Sequence, residues 1–101
     1  MASTFEVLAE VRRREILDLL RGGERPVGEL VDELELSQPA VSKHLRVLRD
    51  AGLVEVRHDA QRRWYRLSPA PLAEIDAWLA PYRDLWRGRL DALEAHLNTM
   101  D

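Results

Sequence analysis

The 101-residue chain contains no cysteine. That excludes a disulfide framework, a thiolate metal cluster, a cysteine nucleophile and a thiol redox sensor. Long apolar runs are missing too: none approaches the roughly 20 residues needed to span a bilayer. The N-terminal stretch MASTFEVLAEVRRR lacks the basic-then-apolar order of a secretory signal. A cytoplasmic location with no membrane partner is therefore expected. No glycine-rich phosphate loop, metal-ligand cluster or nucleophile beside a base is found, so neither an enzyme nor a bound cofactor or metal is expected. There is no internal repeat, low-complexity tract or long linker, and the whole span 1–101 is read as a single domain.

What remains is an ordinary globular composition, 46% hydrophobic and 33% charged, which suffices for a folded core. So short a chain buries a smaller share of its surface than a larger domain, which favours association with a second copy. The net charge of -3 argues against a nucleic-acid binder when taken whole, but its distribution argues for one. Residues 24–36 carry Glu24, Glu29, Asp32, Glu33 and Glu35 against Arg25 alone. Across residues 37–66 the sign reverses to +4, with Lys43, Arg46, Arg49, Arg57, Arg62, Arg63 and Arg66 facing Asp50, Glu55 and Asp59. A basic segment inside an acidic frame is expected when one face meets phosphate and the rest stays soluble.

Hydrophobic spacing predicts a mostly α fold with a small β-hairpin, about five helices plus a two-stranded wing. Phe5 or Val7, then Leu8, Val11, Ile16, Leu17, Leu19 and Leu20, keep helical spacing as one bent helix or two short ones, stopped by Gly22-Gly23. Pro26 opens a short helix with Val27, Leu30, Val31 and Leu34 on its apolar face and acids on the other. After the turn Glu35-Leu36, Ser37 has the residue type and position of an N-cap, and a helix begins at Gln38 with Pro39 in its first turn. Val41, Leu45 and Leu48 seat that helix on the core, and Gly52 ends it in the left-handed conformation. Leu53 to Arg57 and Arg63 to Leu67 alternate as strands around the turn Asp59-Ala60-Gln61. From Pro71 on, Leu72, Ile75, Leu79, Tyr82, Trp86, Leu90, Leu93 and Leu97 recur at steps of three and four. Pro81 interrupts this last helix and predicts a kink or a break just before it.

Short helix, tight turn, helix and hairpin in that order form a winged helix-turn-helix, whose second helix enters the major groove of duplex DNA. With Val41, Leu45 and Leu48 inward, the outward arc of helix 37–51 carries Gln38, Pro39, Ser42, Lys43 and Arg46, with no large hydrophobe among them. Gln38 can pair with adenine N6 and N7, Ser42 with several base edges, and Lys43 and Arg46 with guanine or phosphate. Ser37 and its neighbours at the helix N-terminus can hold a phosphate. His44 is read as lying near the groove or packed under it. In wing 53–67, Arg57, His58, Arg62 and Arg63 flank the turn, where they would contact backbone without reading sequence.

The stretch from about residue 12 to 67 resembles the arsenical-repressor (ArsR) family of bacterial winged helix-turn-helix regulators. RRREILDLL, VGELVDEL, LSQPAVSKHLRVL, AGLV and YRL carry the likeness, SQPAVSKHL most specifically. The resemblance implies a homodimeric repressor of an inverted-repeat operator. Residues 1–21 and 70–98 would supply its dimerisation helices, through Phe5, Leu8, Leu79, Tyr82, Trp86, Leu90, Leu93 and Leu97. Three departures stand out: Glu35 and Gln61 replace common glycines of the turn and wing tip, and Val11 replaces a proline. Many members bind metal through cysteines before the turn or through Asp and His on the last helix. Here ELVDEL has no cysteine, and Asp91 and His96 are five apart, about 140° around a helix. PYRDLW resembles the metal-independent branch, whose small-molecule inducers are often unidentified; none is named by this sequence. Trp78, Tyr82 and Trp86 are read as core ahead of a ligand pocket. A sequence-indifferent architectural DNA-binding protein and a winged-helix protein-interaction module are the alternatives.

Overall fold

A computed structural model describes residues 2–99; Met1, Met100 and Asp101 of the expected 1–101 domain lie outside the described residues. The chain runs α1 (Thr4–Leu8), α2 (Val11–Leu20), β1 (Arg25–Pro26), α3 (Val27–Leu34), α4 (Gln38–Asp50), β2 (Val54–Asp59), β3 (Arg62–Leu67) and α5 (Leu72–Asn98). Of the two N-terminal readings, two helices is the one observed. No proline separates them. The Glu10 carboxylate accepts from the Arg12 N–H at 3.2 Å and starts a new helix there. Carbonyls left open at the end of α1 are taken by α2: Arg13 Nε donates to Val7 O at 2.7 Å and Arg14 Nη1 to Leu8 O at 2.5 Å. Arg25 Nε likewise donates to the carbonyl of Leu19 near the end of α2, at 3.1 Å, where a cation also suits the helix dipole.

The core is a single cluster shared by the four helices before α5, by β2 and β3 and by the link between α4 and β2: Val7, Ile16, Leu17, Leu20, Leu30, Leu34, Val41, Leu45, Leu48, Leu53, Val54 and Tyr65 are all buried. The stripe predicted on α4 is buried as expected. Its C-terminal end closes as a Schellman motif, with Leu53 N–H on Leu48 O and Gly52 N–H on Arg49 O, both at 2.9 Å. Gly52 takes φ +77°, and Leu48 and Leu53 meet in the core beneath it. The chain therefore leaves α4 at a fixed angle into the hairpin.

Three findings refine the sheet and the last helix. The two-stranded wing is present as the hairpin β2-β3, and β1 adds a third strand to its sheet, in the antiparallel order β1-β3-β2. Arg25 and Pro26 pair with Tyr65 and Trp64, a two-residue strand too short to carry an alternating pattern. The hairpin turn is also tighter than Asp59-Ala60-Gln61, since Asp59 pairs with Arg62 and only Ala60 and Gln61 lie between. The left-handed residue at its tip is Ala60, φ +55°, rather than Gln61. Finally, α5 is one helix through Pro81. Proline removes one intrahelical donor, and Arg83 supplies another nearby, its Nη2 reaching the Asp76 carbonyl at 3.2 Å while its Nη1 pairs with the Asp76 carboxylate at 2.8 Å.

α5 has no buried residue. It rests on α1, where Phe5 meets Trp78 edge to face at 5.7 Å, and Trp78 in turn meets Tyr82 at 5.1 Å. Beyond Tyr82 it leaves the body. The radius of gyration is 18.6 Å, against about 13 Å for a compact domain of this length.

Candidate nucleic-acid interface

Local physics fixes the start of α4. Ser37 is extended, and its hydroxyl accepts from the Ala40 N–H at 3.3 Å. Pro39 falls in the first turn, where no donor is needed. Ahead of it, Glu35 ends α3 in the left-handed region at φ +54°, ψ +38°, which turns the chain so that α4 can cross α3. This is the conformation for which a glycine would be preferred.

The predicted helix residues share one exposed face: Ser37, Gln38, Pro39, Lys43 and Arg46 are open to solvent, and Ser42 is half-buried. His44 lies apart. It is half-buried, and its Nδ1 is buried without a hydrogen-bond partner, so of its two readings the packed one describes it.

Hairpin register sorts the wing cations into two groups. Residues directly opposite in an antiparallel pair share a face. Val56 with Tyr65 and His58 with Arg63 therefore lie on the face that covers the core, the second pair beyond its edge. Glu55 with Arg66, Arg57 with Trp64 and Asp59 with Arg62 lie on the other.

Arg57 is already occupied. Its Nη2 lies 2.5 Å from Glu24 Oε1 and its Nη1 3.3 Å from Asp59 Oδ2, with the guanidinium 5.6 Å over the Trp64 ring. The bond from Arg57 holds the Glu24 carboxyl below its ordinary range, and the same bond raises Arg57. Arg66 is tied to Glu55, its Nε donating at 2.8 Å. Among the described residues, Lys43, Arg46, Arg49, Arg62 and Arg63 enter no such pair.

Four of them, Arg46, Arg49, Arg62 and Arg63, line two concavities that share Arg63, and Lys43 is exposed on α4 outside both. A groove of about 500 Å³ runs between the starts of α3 and α4 and the wing tip, lined by Gln38, Gln61, Arg62 and Arg63 among others. A smaller notch lies farther along α4, where Ser42, Arg46 and Arg49 meet Arg63 and Tyr65. Arg49 is the residue that the outward-arc argument passed over, because it lies on the flank toward the wing rather than on the arc. Its spacing of seven from Ser42 carries the signal, since positions seven apart share a helix flank.

This geometry matches proteins of known kind. The sequence profile for the bacterial regulatory protein, arsR family, matches residues 10–56. The chain is 37% identical over 75 residues to the arsenical resistance operon repressor of Staphylococcus aureus, covering 74% of this chain and 72% of the relative. It is 30% identical over 79 residues to the transcriptional repressor SdpR of Bacillus subtilis, covering 78% and 88%. Among solved structures, that of a possible transcriptional regulator for arsenical resistance superposes with a TM-score of 0.73 at 41% identity, covering 95% of this chain and 97% of the other.

Proposed function

Because the chain belongs to the ArsR family of bacterial regulatory proteins, we propose that it is a sequence-specific DNA-binding regulator. In this reading it is a cytoplasmic homodimer that represses transcription by occupying an inverted-repeat operator. One observation carries this. The cations of the basic segment that have no carboxylate partner among the described residues, Lys43, Arg46, Arg49, Arg62 and Arg63, lie on α4 and the adjoining wing. Arg57 and Arg66 are neutralised by Glu24, Asp59 and Glu55. The exposed face is thus basic although the whole chain carries -3, and it adjoins a helix whose Gln38 and Ser42 suit base edges.

The C-terminal helix supports the second copy. Trp78, Leu79, Tyr82, Leu85, Trp86, Leu90, Leu93 and Leu97 are exposed along α5, Trp86 to 67%, and Phe5 of α1 continues the patch. Apolar patches of this extent on a soluble chain mark interaction surfaces. Leu8 packs partly into its own core and contributes less to the patch. Two copies joined through α5 would present their α4 helices to half-sites one helical turn, about 34 Å, or a multiple of it apart.

Footprinting on DNA around its own gene should reveal a protected inverted repeat, and random duplex should compete at least ~10³-fold less well than that site. Within the site, Gln38→Ala should relax preference at one position, whereas Arg62→Ala should weaken binding to every sequence and lower the salt slope by about one. Equal competition by random DNA would replace this reading with that of an architectural protein.

A further inference from the structure

The notch between α4 and the wing is lined by three arginines, in a concavity of about 90 Å³ against about 500 Å³ for the neighbouring groove. Arg46 and Arg49 come from the helix and Arg63 from β3. Ser42, Tyr65 and the buried Leu45 complete its lining. No carboxylate lines it, and none of the three arginines is ion-paired with any described residue. Like charges drawn together without counter-ions repel one another. The fold therefore maintains a positive site that an anion would relieve, and guanidinium groups are matched to phosphate oxygens in fork geometry.

We infer that this notch is the seat of one backbone phosphodiester of duplex DNA, held jointly by Arg46, Arg49 and Arg63. The inference rests on the DNA-binding reading above and assigns within it what neither the sequence nor the family likeness does. Arg49 becomes a DNA contact, and of the two expected partners of Arg46, guanine and phosphate, it takes the phosphate. The phosphate would also bridge two elements, one arginine pair on the recognition helix and one arginine on the wing, so that seating the strand fixes the wing against the helix. A site this narrow, lined by donors, suits a tetrahedral oxyanion; the wider groove beside it, lined by Gln38 and Gln61 as well as Glu29 and Asp32, does not share that character.

The test is a salt titration of the purified full chain on a mixed-sequence duplex, with inorganic phosphate titrated separately. Replacing all three arginines together (Arg46→Gln, Arg49→Gln and Arg63→Gln) should release that phosphate and lower the log–log salt slope by about 0.9 for each notch engaged. Between 50 and 200 mM salt the variant should then lose about threefold less affinity than the wild type for that one contact. Arg49→Lys should keep the slope while binding more weakly, because an ammonium cannot fork. Arg49→Gln should also melt no lower than wild type at low salt, since it removes a repelling charge. An unchanged slope in the triple variant, alongside a reduced slope in Arg62→Gln, would overturn the notch and leave the DNA-binding reading standing. A clearly lowered melting temperature for Arg49→Gln would overturn it by making Arg49 a structural residue. Arg49-dependent binding of inorganic phosphate by a chain that ignores the duplex would overturn both, leaving a small-anion site.

Discussion

Glu35 is the residue most at odds with its own backbone. It sits at φ +54°, ψ +38° where α3 ends, and a residue with a Cβ pays about 1–2 kcal/mol in that region relative to the right-handed one. Its carboxylate also lies at the negative end of the helix dipole, a placement unfavourable by about 0.3–1 kcal/mol. Replacement by glycine removes both terms and gives back about 0.4–1 kcal/mol through the freer unfolded chain. Glu35→Gly should therefore stabilise by roughly 1 kcal/mol, which for a domain of this size raises Tm by about 4–8 °C. Glu35→Ala separates the contributions, because it removes the charge and keeps the Cβ. Thermal unfolding by circular dichroism at one fixed protomer concentration is the assay, since association makes Tm concentration-dependent. If Glu35→Gly melts no higher than Glu35→Ala, the left-handed conformation costs no more than the about 0.4–1 kcal/mol that glycine loses through its freer unfolded chain, and the backbone argument is refuted. Glu35 is exposed and lines no part of the groove or notch, so DNA affinity should stay within a few fold of wild type.

Leu90→Glu places a charge on the exposed apolar face of α5 in both copies of the proposed dimer. Losing two leucine contacts, each about 1.5–3 kcal/mol, should raise the dissociation constant at least 100-fold. Sedimentation equilibrium should then show monomers at concentrations where the wild type is dimeric, and an unchanged molar mass would move the interface elsewhere. Glu24 gives a pH signature: its carboxyl is held low by Arg57, so the stability it contributes is complete above the ordinary glutamate pKa of about 4.3 and is lost as pH falls through the lower folded value. The advantage of wild type over Glu24→Gln should accordingly fade on acidification below about pH 4.3, and a difference in melting temperature that persists unchanged to lower pH would disprove the pairing.

Legibility tracked the range of the interactions. The start of α4 was readable because capping is local: Ser37, Gln38 and Pro39 state the boundary within three residues, and the observed helix begins at Gln38. Gly52 was readable for the same reason. β1 was not, because Arg25 and Pro26 become a strand only by pairing with Tyr65 and Trp64, some 40 residues away. α5 runs on through Pro81, and the contact of Arg83 with Asp76 two turns back is one that periodicity does not report. In the site, the arc of α4 followed from its buried stripe. The separate placement of Arg57 did not, because Glu24 reaches it only once the strands are in register.

That placement resolves the conflict between a net charge of -3 and a surface for phosphate. Residues 37–66 carry +4 in sequence, yet charge count decides less than which charges remain unpaired. Exposed ion pairs of the Arg57–Glu24 and Arg66–Glu55 kind add little stability. Their larger effect is to cancel field on the outer wing face while Arg63, on the opposite face of the same hairpin, is left without a counter-ion. The acids of residues 24–36 therefore have two roles that the linear sequence merges. Glu24 quenches a cation on the outer face, whereas Glu29 and Asp32 border the groove beside Arg62 and Arg63 and repel phosphate along that edge. A strand approaching this surface meets attraction along α4 and the wing-side notch and repulsion at the α3 margin, so the charge pattern fixes register as well as affinity.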